Sequence, residues 1–373
     1  MPSLTDYEVI VVGGGIAGSV AARYTAEGGL RTLLLEREAI PRNKPCSGVQ
    51  LPYMEKLVGA KIPQDCLCSN ELRRVCITTP RGRELNGGLR MLNYWRNTFD
   101  AWLNRVAVEH GADFRDEANV SGFTQEDNGV TVTVNGDNLR CNYLVGADGL
   151  SPRSTIRRQL RPTDFASLVT GTAINYYFEG NSKVEHDTLH IFYRKEFSNL
   201  MFSWLYYKDD KLVVGTSSDM EPARHAENFY KYVKEKFGLD GEVRRREGYV
   251  THHIGGACLG EDNVILAGDA AGFLDLYRGV GMDTAALSGR LSAQAILKAE
   301  EGSSAFIHYK KLSKRLVNLV EDNAERQRRR YESDDALERS LSRLNVIRSQ
   351  MYMTYAMLIN RLRAPESIIL LPT

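Results

Sequence analysis

No run of apolar residues in this 373-residue chain approaches the ~20 that a membrane-spanning helix needs, which argues against an integral helical membrane protein. An excess of one charge is missing too. Lys and Arg number 48 against 47 Asp and Glu, a net charge of +1, so whole-chain charge points to no nucleic acid or acidic partner. The opening residues "MPSLTDYE" are polar and lack the basic stretch of a secretory leader. Six cysteines (Cys46, Cys66, Cys68, Cys76, Cys141, Cys258) form no C-x-x-C pair and show no zinc-ligand spacing. Neither a disulfide framework nor a metal knuckle organises such a chain, and it reads as reduced and cytoplasmic. Internal repeats and low-complexity tracts are absent as well. What is present is an ordinary globular composition, 43% hydrophobic and 25% charged, long enough for two domains and an appendage.

The first chemistry lies between Tyr7 and Glu38, "YEVIVVGGGIAGSVAARYTAEGGLRTLLLERE". A buried-strand run, Val9 to Val12, leads into Gly13-x-Gly15-x-x-Gly18, then a helix, then a second strand ending at Glu36. Gly13 permits a tight turn, Gly15 lets the backbone approach a pyrophosphate, and Gly18 lets helix and strand pack closely. The helix N-terminus, at Ile16 and Ala17, offers unpaired N–H groups to the phosphates. Glu36, with Arg37 beside it, stands where an acid accepts ribose hydroxyls and disfavours a 2′-phosphate. The expected ligand is FAD or NAD rather than NADP. The chain holds one such fingerprint, so a nicotinamide would visit only transiently.

Two later segments narrow the choice. "YLVGADGLSPRSTIRRQL" from Tyr143 carries Asp148–Gly149 after a strand, and "NVILAGDAAGFLDLYRGVGMDTAALSGR" from Asn263 carries Gly268–Asp269 and then Gly279-x-Gly281 before a helix. In this order and spacing they resemble FAD-dependent oxidoreductases of the p-hydroxybenzoate hydroxylase fold, over about residues 5–300. That resemblance implies FAD as cofactor. It implies Asp148 and Gly149 near the cofactor with Val120, Asp269 on the ribityl chain, and the helix start at Gly281–Met282 aimed at the flavin's pyrimidine edge. "YWRNTFDAWL" resembles the family's R-x-x-F-D helix start and places Arg96 beside the cofactor, the alternative being a solvated surface cation.

The branch is read from three places. Gly272 replaces the histidine of the aromatic hydroxylases, and no proline precedes Arg278. The W-x-W-x-I-P segment of flavin halogenases is missing. "FSWLYYKDDKLVVGTSS" resembles instead the aromatic-x-Trp-x-aromatic…Gly segment of geranylgeranyl reductases, with Tyr207 in place of a proline and Thr216–Ser217 in place of a second glycine. Lys44–Pro45–Cys46–Ser47–Gly48 is similar to that family's K-P-C-G-G loop, which faces the flavin across the substrate cavity. The resemblance implies catalytic roles for Cys46, Trp204 and Tyr206. An ordinary thiol is too weak an acid to protonate an isolated C=C readily, so Cys46 either orients the alkene or relays a proton. The other cysteines and the pair His252–His253 read as packing or sheet residues.

The expected fold is α/β. A Rossmann-type FAD-binding domain (1–75, 93–165 and 255–303) carries an inserted antiparallel substrate sheet (76–92 and 166–254) and a C-terminal helical region (304–373). The sheet is tyrosine-rich at Tyr176, Tyr177, Tyr193, Tyr206 and Tyr207, faces that suit a long apolar substrate. In the C-terminal region Leu344, Ile347, Met351, Tyr355, Leu358 and Leu362 recur at helical spacing, with Arg348 and Arg361 interrupting any spanning reading. That face either packs on the FAD domain or rests on an anionic membrane surface. The expected function is hydride transfer from reduced flavin to the C=C bonds of an isoprenoid substrate, with NAD(P)H or a protein as electron donor. The alternatives are a flavin monooxygenase or halogenase, which needs the reduced cofactor to react with oxygen, and a non-catalytic electron-transfer flavoprotein.

Overall fold

The computed structural model describes residues 5–351 apart from 128, 254–255, 300–302, 343–344, 346 and 348–350. Two sheets carry the architecture. In the first, the central strand Tyr7–Val12 is flanked by parallel neighbours Thr32–Leu35 and Asp137–Gly146. Its last four residues are buried, the continuous apolar run that a strand covered on both faces requires. The path of this sheet runs Gly260–Glu261, Val264–Leu266, Asp137–Gly146, Tyr7–Val12, Thr32–Leu35, Asp113–Arg115. The hairpin Val120–Glu126 with Gly129–Val134 joins it antiparallel through Asp137–Gly146. The first helix, Ile16–Glu27, crosses the helix Met282–Leu297 very closely: a Cβ at Gly289 would lie 2.2 Å from the Ala17 carbonyl oxygen.

The second sheet is ordered Asp240–His253, Val169–Asn181, Lys211–Ser218, Ser203–Lys208, Thr188–Phe192, Leu72–Thr78, Glu84–Asn93, Val49–Gln50. It takes in Val49–Gln50 and all of Leu72–Thr78, so it starts earlier in the chain than residue 76. It is antiparallel except where Thr188–Phe192 runs parallel to Leu72–Thr78. Alternation along Ser203–Lys208 splits its side chains between two clusters. Leu205 and Tyr207 pack toward the helix Pro222–Phe237 with Phe229 and Val233. Trp204 and Tyr206 face the other way with Leu72, Met91 and Ala173.

The long helix Ala305–Arg330 buries Tyr309, Leu316, Val320, Gln327 and Arg330 along one stripe. Tyr309, Leu316 and Val320 join the core of the first sheet, so this helix packs on that domain. A short helix, Asp334–Ser340, follows, its N-terminus capped by Ser333. Leu344, Arg348, Tyr355, Leu358, Arg361 and Leu362 lie outside the described residues, while Ile347 and Met351 are exposed. Among the described residues no helix is long and apolar enough to cross a membrane.

Candidate functional site

One cavity of about 1410 Å³ runs from the glycine turn to the second sheet and on to the C-terminal helices. It exceeds the roughly 300–1,000 Å³ of a usual small-molecule site, so it has room for a dinucleotide and a further ligand. Every residue singled out above for cofactor or catalysis lines it, except Gly18 and Gly48. Those two act from behind the wall. A Cβ at Gly18 would lie 1.9 Å from the Gly13 carbonyl oxygen, and one at Gly13, whose φ is +110°, would lie 2.3 Å from the Ala147 carbonyl oxygen. Backbone cannot yield to such contacts, so the turn closes only with glycine at both positions.

Charge is held beside this turn by four side chains. Glu36 accepts from the Gly14 and Glu38 N–H groups at 2.9 and 3.1 Å. Arg42 reaches Glu36 at 3.1 Å and Asp100 at 3.2 Å. Arg96 grips the same Asp100 with two bonds of 2.8 Å. Burial by itself would raise the Asp100 carboxyl, but Arg96, Arg42 and Lys44 outweigh it and hold it below the ordinary carboxylate range. Arg96 is therefore a buried, paired cation on the cavity wall, not a solvated one. Arg42 and Asp100 escaped the sequence reading, although Asp100 stands in the R-x-x-F-D segment and faces Arg96 at helical i,i+4 spacing.

Asp148 has one oxygen engaged and one free of any partner among the described residues. Its Oδ2 accepts from the Thr155 and Ile156 N–H groups at 2.5 and 3.2 Å, at the start of the helix Ile156–Leu160. Its Oδ1 is buried without a partner among the described residues, and burial raises this carboxyl. Gly268, Asp269, Gly279, Gly281 and Met282 border the same space. The turn closed to all but glycine, the orphaned Asp148 oxygen and the helix N-terminus at Met282 together fit a bound dinucleotide.

The loop of Cys46 is pinned from the sheet. The Ser47 carbonyl accepts from the Tyr206 hydroxyl at 2.8 Å and the Lys208 ammonium at 2.7 Å. Lys208 also donates to the Tyr94 carbonyl at 2.6 Å. Gly48 has φ +62°, and a Cβ there would lie 1.9 Å from that Tyr94 oxygen. Cys46 lies half-buried with its Sγ 3.7 Å from the Met282 sulfur. Trp204 donates its ring N–H to Asn175 at 2.9 Å and sits opposite Gly215 across the strand pair. A Cβ on Gly215 would lie 2.0 Å from the Trp204 ring nitrogen, which is why the aromatic segment ends in a glycine.

Other expectations divide. Tyr193 and Tyr206 line the cavity, but Tyr176, Tyr177 and Tyr207 do not. Tyr177 turns its hydroxyl to Glu247 at 2.7 Å, Tyr207 stacks on His186, and Tyr176 lies under Arg246. His252 and His253 border the cavity, and no cluster of metal-ligating side chains occurs among the described residues. Cys66, Cys68, Cys76 and Cys141 are buried free thiols, and Cys258 is a partly buried one.

A sequence model of the family described as "FAD binding domain" matches residues 6–322. The digeranylgeranylglycerophospholipid reductase 2 of Methanopyrus kandleri is 30% identical over 326 residues, covering 79% of this chain and 78% of that one. The chloroplastic geranylgeranyl diphosphate reductase of Nicotiana tabacum is 26% identical, covering 83% and 70%. Among solved structures, a geranylgeranyl bacteriochlorophyll reductase-like protein from Thermoplasma acidophilum superposes with a TM-score of 0.76 over 91% of both chains at 22% identity. A flavin-dependent brominase shares the fold at a TM-score of 0.73 and 16% identity. A glycine turn that fits a dinucleotide and a pinned K-P-C-S-G loop thus sit in a chain that belongs to the geranylgeranyl reductase family of FAD-dependent oxidoreductases, with FAD as its cofactor.

Proposed function

We propose that this protein saturates C=C bonds in a polyprenyl substrate. One observation carries the reading: the dinucleotide cradle opens, without a break, onto an apolar wall of the second sheet that includes Ile77, Met91, Ile191, Phe202 and Trp204. A long hydrocarbon gains about 0.8 kcal/mol per buried methylene on such a wall. The named reductase relatives act on prenyl groups, which suits a wall of this kind. Gly13, Gly15, Ile16, Ala17 and Gly18 would hold the pyrophosphate, Glu36 and Arg37 the adenosine end, and Arg42 would lend it positive charge. Lys44, Ser47, Gly48, Arg96, Val120, Asp148, Gly149, Gly268, Asp269, Gly279, Gly281 and Met282 would enclose the rest. When bound, FAD supplies the two electrons that saturation requires. Cys46 Sγ then stands beside the substrate space, held by its loop, to orient the alkene or pass a proton to it. Trp204 and Tyr206 keep water from that side. NAD(P)H or a protein donor would reduce the cofactor from outside, since the chain carries one dinucleotide turn.

The test is anaerobic incubation of the FAD-loaded protein with dithionite and geranylgeranyl diphosphate or digeranylgeranylglycerophospholipid, followed by mass spectrometry. The expected product gains two hydrogens per reduced bond. Unchanged lipid with both substrates, despite a fully reduced cofactor, would overturn the proposal.

A further inference from the structure

Four arginines are buried among the described residues: Arg23, Arg96, Arg157 and Arg330. Three have a carboxylate at hand, Glu27 at 3.7 Å, Asp100 at 2.8 Å and Asp164 at 2.8 Å respectively. Arg330 has none among the described residues. Its contacts are the Tyr277 carbonyl at a long 3.4 Å, a side-chain hydrogen bond with the neutral Tyr193 hydroxyl, and the rings of Tyr193 and Tyr277 at 4.2 and 4.7 Å. Its Nε is buried with no partner. A guanidinium stays charged at any ordinary pH, and burying a charge without a counter-ion is costly. Aromatic faces return only part of that cost. The charge has no counter-ion among the described residues.

The position of Arg330 says where the anion comes from. It lines the cavity described above, near the end of the helix Ala305–Arg330, with Arg326, Arg329 and Arg339 on the same wall. Arg329 is held by Glu325 at 2.7 Å. Apolar side chains adjoin directly: Phe202 packs on Tyr193 with ring centroids 5.6 Å apart, and Leu341 joins the same cluster. A free inorganic anion would have no use for that apolar wall, whereas an amphiphile uses both parts. A guanidinium fork without a carboxylate partner matches phosphate oxygens.

We infer that Arg330 anchors a subsite for the phosphate-type head of the substrate, whose apolar chain lies along Ile191, Phe202 and Trp204. This rests on the polyprenyl reading of the cavity and adds where the polar end is held. The contact is charge-assisted and shielded from water, so it governs which prenyl compounds enter rather than the reduction itself.

The test measures binding to the FAD-loaded full chain by calorimetry, for geranylgeranyl diphosphate, geranylgeraniol and inorganic diphosphate. Wild-type protein is expected to prefer the prenyl diphosphate over the alcohol by at least tenfold. Arg330→Met should bring that ratio close to one, and Arg330→Lys, which keeps the charge but not the fork, should fall between. An unchanged ratio in Arg330→Met overturns the assignment. So does inorganic diphosphate binding as tightly as its prenyl ester, since the site would then serve a free anion. Should Arg330→Met fail to fold, the wild-type ratio still decides, and equal affinity for diphosphate and alcohol overturns the head subsite. Binding and turnover separate the two proposals. Arg330-dependent binding without hydrogenation sinks the reductase reading alone, and hydrogenation with no preference for the head sinks this one alone.

Discussion

At the scale of single residues, the position of Cys46 is set by groups far away in sequence. Lys208 and Tyr206 hold the Ser47 carbonyl, and the Lys208 ammonium lies 4.6 Å from the centre of the Trp95 ring. Burial lowers the Lys208 ammonium from 10.5 to about 8, only partly opposed by nearby anionic groups. Between those two values the unfolded chain binds more protons than the folded one, so folding stability gains from a rise in pH there. Deprotonated Lys208 keeps two N–H donors, enough for the Ser47 and Tyr94 carbonyls, so the clamp survives. The stability of wild type relative to Lys208→Met should therefore increase between about pH 8 and pH 10, by an amount on the order of 1–3 kcal/mol. Urea unfolding of both proteins across that range checks it, and a flat difference would show that the Lys208 ammonium titrates in the folded protein as it does in the unfolded chain. Cys46 itself is tested by turnover. Cys46→Ala should keep FAD and fold yet slow substrate reduction, by roughly 10²–10⁴ if a proton passes through the thiol. Cys46→Ser with near-normal turnover would assign positioning instead, and normal turnover in the alanine variant would leave Cys46 a packing residue.

At the scale of elements, the segment leading into the helix Met282–Leu297 is built on buried charge. Arg278 bonds Asp275 at 2.5 Å and Asp283 at 2.9 Å, both carboxylates fully buried. Tyr53 donates to Asp283 at 2.6 Å and Asn323 to Asp275 at 2.8 Å. Burial, reinforced by Asp283, keeps the Tyr53 hydroxyl protonated far above its usual range, so it remains a donor. One cation thus ties the Gly279–Gly281 turn to the helix Met282–Leu297, and through Asn323 to the helix Ala305–Arg330. Arg278→Met strands two buried carboxylates, and breaking a buried pair this way costs about 3–5 kcal/mol. The expected result is a lower unfolding midpoint together with less flavin absorbance per chain. Retention of both would mean that the loop holds its shape by packing alone. This network also marks the limit of what the sequence makes legible. Gly13, Gly18 and Glu36 could be singled out from strand–turn–helix spacing, and Asp148 and Asp269 from the resemblance to a known family. Lys208 beneath Ser47 and Asn323 beneath Asp275 could not, because nothing local encodes a contact across 161 or 48 residues. The parallel pairing of Leu72–Thr78 with Thr188–Phe192 was hidden for the same reason: alternation announces a strand, not its neighbour.

At the scale of the whole molecule, the cavity exists because two sheets of different kind face one another. The first sheet, parallel at its centre, brings its glycine turn and helix N-termini to one side, and the second, largely antiparallel sheet brings Trp204 and Tyr206 to the other. Periodicity identified both sheets, yet which of the tyrosines face the cavity is decided by strand register and neighbours. Tyr206 lies one strand position from Tyr207 and so on the opposite face. Trp204 is the test of the wall as a whole. It is 7% exposed, its ring nitrogen is satisfied by Asn175, and Gly215 opposite leaves no side chain to take its place. Trp204→Ala therefore opens a hollow beside the substrate space that the sheet cannot refill, and a substrate passing it loses contact surface. A long chain reaches that part of the wall while a short one need not. The affinity for geranylgeranyl diphosphate should fall at least tenfold, about 1.4 kcal/mol, and that for geranyl diphosphate much less. Calorimetric titration of both ligands into FAD-loaded wild type and variant makes the comparison. A thermal melt alongside reads the cost to the sheet, expected at about 3–5 kcal/mol for an aromatic removed from a packed site. If the melt drops while the chain-length preference is untouched, Trp204 belongs to the sheet core alone, and the hydrocarbon must run along Ile77, Met91 and Ile191 instead.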